Sequence, residues 1–239
     1  GGLNFEVVLG EPVESSPAHK GGRVLFHLRN HQIFCLDVKT GKTIWSYKKS
    51  VADVTTIQSS STPVIYGNHV YVGFSDGSVA KFRIETGEQI WETMIGNQVK
   101  FNDVDSSPIL VNGSVYAFAN NQQLIALDEK TGVVLNRYDY YPNGEFSEIA
   151  GKIYFGGVNG KLYSLDPESD QFNDHGKISD SGIKFIRSWK SGLAIFSMKG
   201  SIYYKDTNHP SKKFGNFSFG SGDSLIISSP DVKHSSILV

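Results

Sequence analysis

Segments that repeat every 38 to 46 residues, four short strand signals in each, and glycine-bearing turns at fixed offsets together predict an all-β protein. The expected architecture is a β-propeller of four-stranded blades, with five recognisable modules and a partial sixth. The repeat is anchored on six segments rich in branched and aromatic residues: Arg23-Val24-Leu25-Phe26, His69-Val70-Tyr71-Val72, Ser114-Val115-Tyr116-Ala117, Lys152-Ile153-Tyr154-Phe155, Gly192-Leu193-Ala194-Ile195 and Ser236-Ile237-Leu238-Val239. No segment sustains apolar residues at three- and four-residue spacing, which argues against a helical solenoid, the structural alternative.

Each module then reads as a sequence of strands. Seven residues before the anchor stand Pro17, Pro63, Pro108 and Pro230, each after Ser or Thr, with Phe146 and Ile186 in two modules; this element opens the first strand. A turn such as Tyr66-Gly67-Asn68 leads to the second strand, and one such as Ser75-Asp76-Gly77 leads to the third. Thirteen residues after the anchor stand Asp37, Arg83, Asp128, Asp166 and Asp206. In the first three modules Thr40-Gly41, Thr86-Gly87 and Thr131-Gly132 follow, and the fourth strand carries Trp45 or Trp91, with Asn at 136. Phe5-Glu6-Val7-Val8 precedes Pro17 much as Trp45-Ser46-Tyr47 precedes Pro63, and it reads as an outermost strand. The sixth module is short of its third strand. Either the N-terminal strand completes it, or the chain, a single propeller domain over 1–239, is part of a larger propeller.

Composition narrows the function classes. With 23 Lys+Arg against 24 Asp+Glu, the net charge of -1 gives no field to hold nucleic acid or an anionic membrane. No apolar run is long enough for a transmembrane helix, and the first residues lack the order of a secretory signal. The single cysteine, Cys35, lies in an alternating apolar segment and reads as a buried small hydrophobe, which leaves no internal disulfide and no cysteine metal site. The seven histidines show no metal-ligand spacing; His27 and His31 are four apart but separated by a turn at Asn30. Neither a nucleophile elbow nor a phosphate-cradling glycine loop is present. No catalytic residue, metal or cofactor is expected.

The pattern Asp-x-x-Thr-Gly-x-x-x-Trp resembles the repeat of the pyrroloquinoline-quinone-like propellers. The stretch Asn102-Asp103-Val104-Asp105-Ser106-Ser107-Pro108, continuing through Ile109 to Ala117, is similar to a blade entry of the BamB family of outer-membrane β-barrel assembly lipoproteins. The proline-free entry Glu145-Phe146-Ser147-Glu148 keeps the same order, and the resemblance runs from about Val13 to Val239. It implies an eight-bladed propeller of which this chain lacks about two blades on the N-terminal side, together with an acylated cysteine that the chain does not carry. It also implies a non-catalytic scaffold at the periplasmic face of the outer membrane, docked on a BamA-type POTRA domain and in reach of unfolded outer-membrane protein clients.

Carried over residue by residue, the family's acidic contact motif falls on Asp103 and Asp105. Two carboxylates at i and i+2 of an extended segment point the same way, and they suit an Arg or Lys of a partner; the bland reading is that they cap turns. The family's second contact loop aligns with Thr55, Thr56, Ile57 and Gln58, where only Ile57 keeps apolar character. Trp45 and Trp91, at repeat positions, are read as blade-packing residues. The cluster Tyr138, Tyr140, Tyr141 fits a plain outer strand. The alternative class is a small-molecule-binding or quinoprotein-like propeller with a ligand in the central channel, although a lone Cys35 cannot supply the vicinal cysteines of such enzymes.

Overall fold

A computed structural model of the chain describes residues 5–13, 15–51, 61–97, 102–104, 106–120, 122–206, 215–218, 231–233 and 236–238. The described strands form five four-stranded antiparallel sheets and one hairpin, each sheet in simple chain order. Blade I comprises β1 (Ala18–Lys20), β2 (Arg23–His27), β3 (Gln32–Asp37) and β4 (Thr43–Lys48). Blade II comprises β5 (Val64–Tyr66), β6 (His69–Gly73), β7 (Ser78–Arg83) and β8 (Gln89–Met94). Blade III comprises β9 (Ile109–Val111), β10 (Ser114–Ala117), β11 (Leu124–Asp128) and β12 (Val134–Tyr138). Blade IV comprises β13 (Asn143–Ile149), β14 (Lys152–Gly156), β15 (Lys161–Asp166) and β16 (Gln171–Lys177). Blade V comprises β17 (Ile183–Trp189), β18 (Gly192–Ser197), β19 (Ser201–Asp206) and β20 (Gly215–Ser218); β21 (Asp231–Lys233) pairs with β22 (Ser236–Leu238).

Two compact units result, 1–140 with blades I to III and 141–239 with blades IV, V and the hairpin. In the first unit, Leu25, Ile33, Cys35 and Trp45 of blade I pack with Val70, Val72, Phe74 and Phe82 of blade II. Tyr71, Val79 and Trp91 of blade II pack with Val104, Val115 and Leu127 in turn. In the second unit, Tyr154 and Leu162 of blade IV meet Ile183, Ile186, Leu193 and Ile195 of blade V.

The physical causes of these blades lie in short motifs. In blades I and II the first serine of the Ser-x-Pro entry clamps the far end of the second strand: Ser15 Oγ accepts from the His27 amide at 3.0 Å. Ser61 Oγ accepts from the Gly73 amide at 2.8 Å and donates to the Gly73 carbonyl at 2.9 Å. The Asp-x-x-Thr-Gly turn is closed by the Asp carboxylate, because Asp37 Oδ1 accepts from the Lys39 and Thr40 amides and the Thr40 hydroxyl at 2.8–3.0 Å. Asp128 repeats all three bonds with Lys130 and Thr131. In blade II Arg83 takes the Asp position, and an ion pair to Glu88 at 3.0 Å spans the same turn.

Just past this turn the pairing of third and fourth strands slips by one residue, between Cys35 and Leu36, Lys81 and Phe82, and Ala126 and Leu127. The slip is a β-bulge, which re-aims the side chains that follow it. Its extra residue points outward, as the exposed Ile44, Ile90 and Leu135 show, and in blades I and II the next residue, Trp45 or Trp91, turns inward to 8% exposure.

The turn carboxylates give a pH expectation. The Thr40 hydroxyl, the Thr40 amide and the Lys39 amide hold Asp37 below its ordinary value, and Thr131 and Lys130 do the same for Asp128. A depressed folded-state value contributes stability that is complete above the unfolded carboxylate range and is lost as pH falls through the folded value. The urea midpoint of the native chain should therefore fall more steeply below about pH 4 than that of the Asp37→Asn, Asp128→Asn double variant; parallel curves would remove these turns from the acid response.

Phe5–Leu9 is not a strand. Phe5 and Val7 instead lie over Gly41, where an added Cβ would come 2.7 Å and 2.8 Å from their side chains. The sheet of blade I is already four strands wide, so the segment contributes side chains to its face. Phe5, Val7 and Leu9 close one wall of a cavity of about 350 Å³ against Val24, Phe26 and Leu36.

Candidate docking site

Trp45 and Trp91 join neighbouring blades in one geometry. The Trp45 indole N–H donates to the Ile84 carbonyl at 2.8 Å, and that of Trp91 to the Glu129 carbonyl at 3.0 Å, one residue past the turn position of the next blade. Each ring packs against the glycine of that blade's Thr-Gly turn. A Cβ at Gly87 would stand 2.6 Å from the Trp45 ring, and one at Gly132 would stand 2.7 Å from the Trp91 ring. Both glycines also have φ above +70°. Phe5 takes the same place on Gly41 without an indole N–H. A second tie crosses blades II and III: Lys81 Nζ reaches Glu129 Oε1 at 2.5 Å and the Glu129 carbonyl at 3.0 Å, while the Tyr71 hydroxyl donates to Glu129 Oε1 at 2.6 Å.

The opposite ends of the strands carry a recurring knot that the sequence reading missed. Where the second strand turns into the third, the fourth turn residue donates its amide back to the first: His31 to Leu28, Gly77 to Phe74, Gly160 to Gly157. The third residue is Asn30, Asp76 or Asn159, and its side chain accepts from the amide two residues on. The fourth residue has positive φ (His31 62°, Gly77 90°, Gly160 76°), and its carbonyl accepts the chain leaving the fourth strand: Lys49 on His31, Ile95 and Gly96 on Gly77, Ile178 and Ser179 on Gly160. The first residue's carbonyl takes the entry of the next blade, with Val104 on Phe74 and Ile183 on Gly157. Its signal in sequence is one Asx before a left-handed residue, too short to distinguish from any turn.

The linker from blade II to blade III is built on this knot. The Val104 amide donates to the Phe74 carbonyl at 3.0 Å, and the Asp103 carbonyl accepts from the Asn120 amide at 2.8 Å, so the linker is tied by backbone to both blades. Asn102 is buried and wedged against Gly77, whose added Cβ would stand 2.5 Å from its Nδ2. Asp103 is 1% exposed, so its carboxylate faces inward at this blade entry and offers no open acidic surface. Asp105, Thr55, Ile57 and Gln58 lie outside the described residues.

Beside the knot of blade II sits an ionic cluster around a buried lysine. Lys49, whose side chain is 8% exposed, pairs with Asp76 Oδ2 at 2.8 Å and Glu92 Oε1 at 2.6 Å. It also donates to Ser78 Oγ at 2.5 Å and lies 4.9 Å from the Phe74 ring centroid. Ser78 Oγ in turn donates to Asp76 Oδ1 at 2.6 Å. Burial opposes ionisation of Asp76, but the bonds from Lys49 and Ser78 outweigh it and hold the carboxyl below its usual range. His31 sits against Ser75 Oγ at 3.1 Å, and burial lowers its basicity against the opposing fields of Asp76 and Asp103. His27 is buried more deeply and is pushed down to about 4. It is neutral at pH 7, and since a carbonyl only accepts, its Nδ1–H donates to Ser61 O at 3.1 Å.

Among the described residues no group of three or more His, Cys, Asp or Glu is placed to hold a metal. Cys35 is buried, and burial pushes its thiol up to about 11, away from the reactive thiolate. Among the described residues no helix is long and apolar enough to cross a membrane.

A family model described as outer membrane protein assembly factor BamB matches residues 1–173. The chain belongs to this family. It is 30% identical to BamB of Yersinia pestis over 165 residues, 66% of this chain and 42% of that protein. It is 28% identical to BamB of Moranella endobia over 178 residues, 71% of this chain and 45% of that protein. The chain thus spans somewhat under half the length of these curated relatives. Among solved structures, BamB from Moraxella catarrhalis superposes with a TM-score of 0.71 at 18% identity, covering 89% of this chain and 66% of that one. Quinohemoprotein alcohol dehydrogenase from Comamonas testosteroni superposes with a TM-score of 0.70 at 15% identity, covering 88% of this chain and 43% of that one. At these identities the two superpositions establish the fold alone, a β-propeller of the BamB and quinoprotein kind. The dehydrogenase likeness is one of fold.

Proposed function

We propose that this chain is a non-catalytic scaffold that assists the assembly and insertion of outer-membrane β-barrel proteins from the periplasmic side of that membrane. It docks on a BamA-type POTRA domain through the loops that join its blades. Family membership over residues 1–173 is the observation that carries this reading. The linker supports it locally: a segment tied by backbone to blades II and III presents a fixed shape to a partner, and such preorganisation reduces the ordering cost of binding. Within the linker, Asp105 is the proposed acidic contact, and buried Asp103 belongs to the contact through the shape it gives the segment. Thr55, Ile57 and Gln58, between blades I and II in the sequence, form the second contact.

Titration calorimetry with the POTRA domains of the BamA-type protein of the same organism tests this. Native chain should bind, and Asp105→Lys should weaken binding at least about tenfold by placing like charges together. Lys39→Glu, in the turn at the other end of the blade I strands, should leave affinity unchanged. Absence of binding, or equal affinity for Asp105→Lys, would overturn the docking reading.

A further inference from the structure

We propose that Lys49 and Asp76 are positioning residues for the Asn102–Val104 linker, transmitting the placement of blade I to that docking segment. The inference rests on the docking reading above for its functional meaning and on the following geometry for its physical content. Lys49 is the first residue after β4, and its amide donates to the His31 carbonyl at 3.2 Å, so its backbone is held by the blade I knot. Its ammonium crosses to Asp76 at 2.8 Å, the Asx residue of the blade II knot. Asp76 closes that turn by accepting from the Ser78 amide at 3.0 Å, next to Gly77. The Gly77 carbonyl holds the Ile95 and Gly96 amides at 2.9 and 3.0 Å, and the Phe74 carbonyl holds the Val104 amide at 3.0 Å. Thus one ion pair, with its cation buried, fixes the turn from which the linker is suspended.

The comparison within the molecule makes this arrangement specific. At the repeat position of Lys49, 46 residues on, stands Ile95, a buried apolar residue. In the knots of blades I and IV the Asx residue is neutral, Asn30 and Asn159, and it accepts the same turn amide. A charged Asx is therefore not needed to close the turn, as asparagine does so in two other blades. The charge on Asp76 is matched instead to the cation arriving from the preceding blade. Buried ion pairs are weak evidence for stability but serve well to set register between packed elements.

Asp76→Asn separates the two roles, since asparagine keeps the turn acceptor and removes the charge. Amide hydrogen exchange in the full chain reads the result at the linker. In Asp76→Asn and in Lys49→Met, exchange at Ile95, Gly96 and Val104 should quicken about tenfold or more, while Ile178 and Ser179 of the blade IV knot keep their rates. Lys49→Arg, which retains the cation, should stay near the native rates. An unchanged Val104 rate would overturn the inference, and so would a uniform rise at all these amides in both variants, which marks a loss of global stability. Affinity for the isolated POTRA domains is measured on the same proteins. Quickened exchange with weakened binding supports both the positioning role and the docking reading. Quickened exchange with native affinity leaves the positioning role standing and removes this linker from the docking surface.

Discussion

Replacing Trp91 by alanine is expected to lower the unfolding free energy by about 3–5 kcal/mol, the range for truncating a large buried aromatic side chain. The ring is 8% exposed, packs on Gly132 and lies near the Tyr71 ring, with centroids 6.1 Å apart. Alanine would leave a void between blades II and III that their hydrogen-bonded strands cannot collapse to fill. Trp91→Phe keeps much of the packing but removes the indole donor from the Glu129 carbonyl. It should cost less, with about 1 kcal/mol attributable to that bond. Urea unfolding followed by circular dichroism measures both variants; a loss below about 1 kcal/mol for alanine would mean that the indole is not a principal tie between the blades.

The second large effect is expected at the Lys81–Glu129 pair. Lys81 has a side chain only 4% exposed, and Glu129 supplies both a carboxylate and a carbonyl to it. Glu129→Ala strands that cation among Tyr71 and the blade II core and removes the acceptor of the Tyr71 hydroxyl. A cost of about 3 kcal/mol follows, since breaking a buried pair from one side leaves the other charge uncompensated. The double variant Lys81→Met, Glu129→Gln should recover most of that loss, because no charge remains to be solvated and glutamine still accepts from Tyr71. Equal instability of the single and double variants would show that packing, not the pair, is at stake. The pair also has a pH signature. Burial opposes the ionised form of Glu129, but the bonds from Lys81 and Tyr71 prevail and depress its value. Its contribution is thus present above the unfolded glutamate range and fades as pH falls through the folded one. Trp91 and Lys81 share the Glu129 carbonyl, so the two perturbations should not add.

What could be read from sequence, and what could not, divides along chain distance. The blades were legible because each is a local meander whose strands and turns recur at fixed offsets. The Asp37 and Asp128 turns were legible because Asp, Thr and Gly act within five residues of one another. The inward tryptophans carry a repeat position as well. The knots were not legible. Their partners are backbone carbonyls, and the one side chain involved changes between Asn and Asp. Lys49 carries no repeat signal of its own; only the arrival of Asp76 and Glu92 from the neighbouring blade reveals a buried cation.

The N-terminal segment shows the limit of pattern matching. Phe5 and Val7 alternate as strand residues do, yet they meet the Gly41 turn with side chains alone. Asp103 shows another limit: alternation places Asp103 and Asp105 on one side of an extended segment, but it cannot say whether that side is open. The hydrogen bonds of Val104 to Phe74 and of Asp103 to Asn120 draw the segment inward, and the Asp103 carboxylate goes with it.

This family member is proposed to dock by the ends of the strands that carry the blade linkers. Photo-crosslinking tests it most directly, with a photoreactive amino acid placed at position 105 in one protein and at position 39, in the turn at the other end of the strands, in a second. Incubated with the POTRA domains of the BamA-type protein, the first should give a crosslinked species and the second should not. Crosslinking from position 39 with none from 105 would contradict the claim.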